Sequence, residues 1–211
     1  MKSCNKKCIR LFLISLICIT AILCFLSYQY LDKYISNFIY THDIYKTPGL
    51  AYFTMLGKNV VVFSLVLLVI FYYRFIKKSK KNEIQAWYVF SCVLLANLIS
   101  FFFKISFGRA RPMQWIENEF YGFFGPNFQS EFWSFPSGHT VSVMSLAFAL
   151  CFLTSNYFYR VLFILAALTL LASRIFLLQH YLSDTVAATL IGYIIALILY
   201  RSYFRSKIYS H

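Results

Sequence analysis

Apolar stretches of about twenty residues alternate along the chain with short polar connections in which Lys and Arg cluster. A helix of about that length crosses roughly 30 Å of hydrocarbon. Six stretches qualify, at residues 9–30, 58–76, 84–106, 139–158, 160–178 and 182–203. The first has a basic start like a signal peptide, but its apolar body is long and lacks a small-x-small cleavage site, so it reads as a membrane anchor. No repeat, low-complexity tract or second domain interrupts the pattern, and the one long connection is 107–138. The expected fold is all-α: a polytopic membrane protein over residues 1–211, with six transmembrane helices in one bundle.

Composition supports this class. Charged residues make up 13% of the chain, about half of what coats an ordinary soluble domain. The net charge of +13 sits in clusters between apolar runs rather than along one polar face, so it speaks of membrane orientation and not of nucleic acid. Positive residues are retained on the cytoplasmic side. With the N-terminus inside, Lys2, Lys6, Lys7, Arg10, Arg74, Lys77, Lys78, Lys80, Lys81, Arg160, Arg201, Arg205 and Lys207 are internal, with Glu83 as their one acid. The outer connections 31–57, 107–138 and 174–184 are then nearly neutral, so both termini are expected in the cytoplasm. Cys4 and Cys8 lie in the basic N-terminus, while Cys18, Cys24, Cys92 and Cys151 lie inside apolar runs. All six read as free thiols, because bridges belong to oxidised, water-facing loops.

The outer ends of the last four spans carry Lys104, Arg109, Arg111, His139, Arg174 and His180, with Asp184. Ionisable groups at membrane depth are costly and point into the bundle, where they pair or bind a ligand. Three arginines, a lysine and two histidines specify an anion site, and guanidinium groups suit phosphate. Pro136-Ser137-Gly138-His139 opens the fourth span, where free N–H groups attract anions. His180 and Asp184 are four residues apart, so on a helix the carboxylate can accept the imidazole N–H and leave the other nitrogen free to attack. Each feature has a plainer reading: snorkelling anchors for Lys104, Arg109 and Arg111, a turn and cap for Pro136-Ser137-Gly138, a structural pair for His180 and Asp184. Their convergence on one membrane face favours the phosphate site.

Lys104 to Arg111-Pro112 reads Lys-x6-Arg-Pro, residues 136–139 read Pro-Ser-Gly-His, and Ser173-Arg174 with His180 and Asp184 reads Ser-Arg-x5-His-x3-Asp. In order and with these spacings they resemble the three signatures of the type 2 phosphatidic acid phosphatase superfamily, which shares its site with vanadium haloperoxidases. The resemblance implies a lipid phosphatase with its active site at the outer membrane face. His180 is then the nucleophile that carries a phosphohistidine, Asp184 its orienting carboxylate, and His139 the acid that protonates the leaving oxygen and later activates water. Lys104, Arg111 and Arg174 hold the phosphate, Ser137 and Gly138 add donors, and neither a metal nor another cofactor is expected. Arg109 falls between the family positions; pairing with Glu117, Glu119 or Glu131 is the expectation.

The loop 109–135 carries nine aromatic residues in 27, placing it at the headgroup level beside the site, either as a lipid entry or only as an interfacial belt. Bacterial members of the family act on undecaprenyl pyrophosphate, phosphatidylglycerophosphate, phosphatidic acid or the phosphates of lipid A. The implied partners are therefore a lipid phosphate and the bilayer, in a bacterial inner membrane with the site facing the periplasm. The alternatives are a lipid phosphotransferase on the same scaffold and a non-catalytic lipid-binding or transport protein. No motif compels a homodimer.

Overall fold

The computed structural model describes residues 6–204, without the side chains of residues 6–9 and 203. Cys4, Lys2, Arg205 and Lys207 lie outside the described residues, as do the side chains of Lys6, Lys7 and Cys8. Nine α-helices are described: α1 (Lys6–Leu26), α2 (Asp32–Thr41), α3 (Pro48–Thr54), α4 (Asn59–Phe71), α5 (Lys80–Phe107), α6 (Pro112–Asn118), α7 (Gly138–Leu153), α8 (Tyr157–Phe176) and α9 (Leu182–Leu199). The expected all-α polytopic bundle is borne out. Among the described residues five helical segments are long and apolar enough to cross a membrane, and Gly138–Leu153 is a shorter apolar helix.

Three boundaries differ from the sequence expectation. One π-helical segment, Ser27–Leu31, joins α1 to α2 without a break, so the first span continues to Thr41 through residues expected in a loop. The rest of the 31–57 connection also holds the short helix α3. Finally, α7 stops at Leu153 because the chain turns extended at Thr154, and the Asn156 side chain then accepts the Phe158 N–H to start α8. Sixteen residues give α7 about 24 Å, less than the bilayer core.

That length suits a central helix. Thr140, Val141, Ser142, Val143, Met144, Ser145, Ala147 and Ala149 of α7 are all buried, and α7 packs against α5, α8 and α9. Small residues set the closest approach. Ala188, Gly192 and Ala196 lie on the buried side of α9, and a Cβ added at Gly192 would stand 2.8 Å from the Ser145 backbone nitrogen. This stripe of small residues is therefore where two backbones meet. Tyr88 ties α5 to α9 by donating to the Ala196 carbonyl at 2.9 Å. Cys18, Cys24, Cys92 and Cys151 are free.

Gly192→Val is expected to force α7 and α9 apart and cost about 1–3 kcal/mol, as overpacking does. The readout is a lowered melting temperature of the detergent-solubilised protein, with Gly192→Ala less affected; an unchanged melt for the valine variant would contradict this packing.

Candidate active site

The site assembles where α5, α7, α8 and α9 end or begin. Lys104 stands in the last turn of α5, and Gly108 then reverses the chain in a left-handed conformation (φ 52°). Only glycine fits there, since a Cβ would fall 2.0 Å from the Gly125 carbonyl oxygen. Backbone pairings hold the loop that follows. Arg109 pairs by backbone bridges with Phe123 and with Trp133, and the Ser134 N–H donates to the Arg109 carbonyl at 3.0 Å. On the other side, α8 carries Arg174 in its last turn, and a tight turn through Leu178 (φ 53°) places His180 just ahead of α9.

His180 thus precedes the helix that carries Asp184, and this corrects the direct pairing expected from their spacing. The nitrogen Nδ1 lies 2.7 Å from the Ser134 carbonyl oxygen and 3.9 Å from Asp184 Oδ2. A carbonyl only accepts, so Nδ1 carries the hydrogen and Nε2 keeps its lone pair. Asp184 acts through intermediaries: its Oδ2 accepts from Ser134 Oγ at 2.6 Å and from the Tyr181 N–H at 2.8 Å. Ser134, which sequence reasoning missed, holds both groups. Burial, and then the nearby charges of Lys104, Arg174 and Arg111, push His180 well below its ordinary value.

The second correction concerns Arg109, which pairs with none of Glu117, Glu119 or Glu131. Its side chain is 1% exposed, and the guanidinium bonds Asp184 Oδ1 and Ser183 Oγ through Nη1 and Asp32 Oδ2 through Nη2, the last two at 2.7 Å. Tyr28, Phe123 and Tyr181 enclose it, with ring centroids 4.5–5.2 Å away. Asp32 also accepts from the Ser183 N–H and hydroxyl. Asp32 comes from the extended first helix, so this cluster fastens that helix to α9. A lone charged pair at positions 32 and 109 carries no local sequence signal.

Lys104, Arg111 and Arg174 are different. Among the described residues none of the three makes an ion pair. Neutral acceptors hold them: the Trp133 carbonyl for Lys104 at 2.6 Å, Gln179 Oε1 for Arg111 at 2.5 Å, and Thr54 Oγ1 for Arg174 at 3.1 Å. Gln179 and Thr54 were not foreseen either. The Nε groups of Arg111 and Arg174 and the Nε2 of His139 are buried without a partner. The charges that act on His139 are those of Arg174, Lys104, Lys58 and Arg111, so both histidines face one cationic cluster. Ser137 caps α7, its Oγ accepting from the Thr140 hydroxyl at 2.9 Å, which leaves its own proton to donate. Gly138 opens the helix with Lys104 Cε 3.5 Å from where a Cβ would stand. The structure therefore brings together all eight residues singled out from the sequence. Among the described residues no cluster of three His, Cys, Asp or Glu side chains could hold a metal ion.

A profile of the PAP2 superfamily matches residues 85–208. The lipid A 1-phosphatase of Rhizobium etli is 35% identical over 124 residues, which is 54% of this chain and 52% of the relative. The lipid A 4'-phosphatase of Porphyromonas gingivalis is 27% identical over 157 residues, 70% of this chain and 62% of the relative. The chain thus spans about half the length of the first of these relatives. A PAP2-type phosphatidylglycerolphosphate phosphatase from Bacillus subtilis shares the fold, with a TM-score of 0.60 at 19% identity over 93% of this chain and 96% of that one.

Two outcomes follow from this geometry. Arg109→Met strips the buried Asp32 and Asp184 of their counter-ion and is expected to cost about 3–5 kcal/mol, read as loss of monodisperse folded protein; a melt equal to the unsubstituted protein would contradict the cluster. For His180, whose folded value is depressed, the unfolded chain takes up a proton near pH 6.5 that the folded chain refuses. This group's contribution to stability should therefore fall as pH drops below about 6.5, by up to about 1.4 kcal/mol per unit. Melting temperatures between pH 7 and 5 should decline less steeply in His180→Gln.

Proposed function

The chain belongs to the PAP2 superfamily, and on that premise we propose that it is an integral membrane phosphatase that releases phosphate from an envelope lipid. The observation that carries this reading is a set of three cations, paired with no carboxylate among the described residues, beside an imidazole held in one tautomer by the Ser134 carbonyl. A phosphate is the counter-ion such a set lacks. The relatives named as lipid A phosphatases make the phosphates of lipid A the first substrates to try.

In the proposed reaction the lipid phosphate lies among Lys104, Arg111 and Arg174, whose charges also stabilise the transition state. His180 Nε2 attacks phosphorus, the bond from phosphorus to the lipid oxygen breaks, and His139 gives that oxygen a proton. Asp184, held near His180 by Ser134, offsets the charge on the phosphohistidine. His139 then takes a proton from water, whose oxygen attacks phosphorus, and the bond to His180 breaks with release of inorganic phosphate. Ser137 and Gly138 lend donors from the start of α7. The excess of Lys and Arg in the connections assigned to the inside supports cytoplasmic termini and a site facing the periplasm of the inner membrane.

The test is phosphate release in EDTA by the detergent-purified protein, from lipid A, phosphatidic acid, phosphatidylglycerophosphate and undecaprenyl pyrophosphate. His180→Ala and His139→Ala should each lower the rate at least about a thousandfold. Arg174→Lys should lower it roughly a hundredfold, since an ammonium cannot reproduce the planar fork. Retained turnover in His180→Ala, with the variant still folded, would refute the mechanism.

A further inference from the structure

A groove of about 400 Å³ lies between α4 and α5 and runs to the site. Leu94, Leu98, Phe101 and Lys104 line it from α5 at spacings of three and four, so they form one stripe about 15 Å long. Leu98 and Phe101 are more than half exposed on a helix that can span the membrane, so the groove opens sideways toward lipid. Lys104 and Gly138 close its other end. It therefore leads from the hydrocarbon to the cation cluster.

Its lining is not what a plain hydrocarbon tail requires. Ser100, 1% exposed, is among the residues that line the groove, and its buried hydroxyl has no partner. Four residues separate it from Lys104, about 6 Å along the helix. Asn59 lines the opposite wall and gives one Nδ2 hydrogen to Asn97 Oδ1 at 2.8 Å, which leaves the second hydrogen to spend. Asn97 Nδ2 is committed to the Val93 carbonyl and Ser142 Oγ, and Ser142 Oγ donates to Asn59 Oδ1. This closed network fixes Asn59 in place. Both vacant groups can thus donate, and Ser100 lies about one helical turn below Lys104; farther along the groove the one other polar side chain in its lining is Asn97, whose amide the network already occupies.

We propose that this groove seats the acylated part of the substrate, with Ser100 and Asn59 donating to an ester or amide carbonyl that lies beside the phosphate. The inference rests on the phosphatase reading and narrows it. Acylglycerol phosphates and acylated sugar phosphates both carry such carbonyls a short linkage from phosphorus. A polyprenyl chain carries no acceptor beyond its phosphates, and seating it would leave the donors unsatisfied in an apolar setting.

The experiment compares kcat/KM of the detergent-purified full chain on phosphatidic acid, lipid A and undecaprenyl pyrophosphate. The expected result is preference for at least one acylated lipid, phosphatidic acid marking a glycerol linkage and lipid A a sugar. Ser100→Ala should reduce the ratio of acylated to polyprenyl kcat/KM about five- to tenfold, the loss of one hydrogen bond. Leu98→Trp, which fills the groove from its rim, should shift the ratio the same way, so that neither result hangs on one variant's folding. Preference for undecaprenyl pyrophosphate, or a ratio that neither substitution moves, would overturn the groove assignment alone. No release from any lipid above the His180→Ala background would overturn the phosphatase reading, and the groove assignment with it.

Discussion

Three like charges held together without a carboxylate among them are the constraint on which this architecture turns. Lys104, Arg111 and Arg174 repel one another, and the repulsion grows as water is excluded. The fold answers with position and with dipoles. Lys104 and Arg174 stand in the last turns of α5 and α8, where the negative ends of the helix dipoles favour cations. Trp133, Gln179 and Thr54 satisfy one donor on each cation but neutralise no charge. The site is thereby kept hydrogen-bonded enough to fold and positive enough to take an anion.

Arg109 explains why the neighbouring carboxylates do not quench that charge. Asp184 starts α9 beside the cluster, and an unengaged carboxylate there would pair with Arg174 or Lys104 and cancel its charge. Instead Asp184 is saturated by Arg109, Ser134 and the Tyr181 N–H, and Asp32 by Arg109 and Ser183. Two arginines separated by one residue therefore have opposite tasks: Arg109 compensates buried acids, and Arg111 remains uncompensated. The same cluster sets the length of the first helix. Asp32 can continue a membrane helix because its charge is cancelled from a loop 77 residues away.

That distance marks the boundary of what the chain discloses on its own. The apolar stretches announce the bundle, since helix length and hydropathy are local properties, and the three signatures announce which side chains meet. Asp32 and Lys33 nonetheless read as the start of a loop, because nothing near them in sequence hints at Arg109. The spacing of His180 and Asp184 suits one helical turn, yet α9 begins at Leu182, and the imidazole N–H turns to a carbonyl 46 residues back. Residues 107–138 hold no periodic pattern, and the order they adopt depends on Gly108, Arg109 and Ser134 meeting across the loop. Pairings between distant residues carry no periodic trace.

The choice of Ser134 as acceptor for His180 has its own logic on the proposed phosphoryl-transfer reading. A carboxylate in direct contact would raise the basicity of the imidazole and bring a negative charge toward the incoming phosphate. A carbonyl fixes the same tautomer while adding no net charge, so the neighbouring cations keep their hold on the anion. Asp184, 3.9 Å from Nδ1, is still close enough to favour the positive charge that develops once Nε2 has bonded to phosphorus, since attraction at that range is substantial where water is scarce. Ser134 thus separates two demands that a direct pair would join: it orients the ring before the reaction, and it leaves electrostatic support to arise when the charge does.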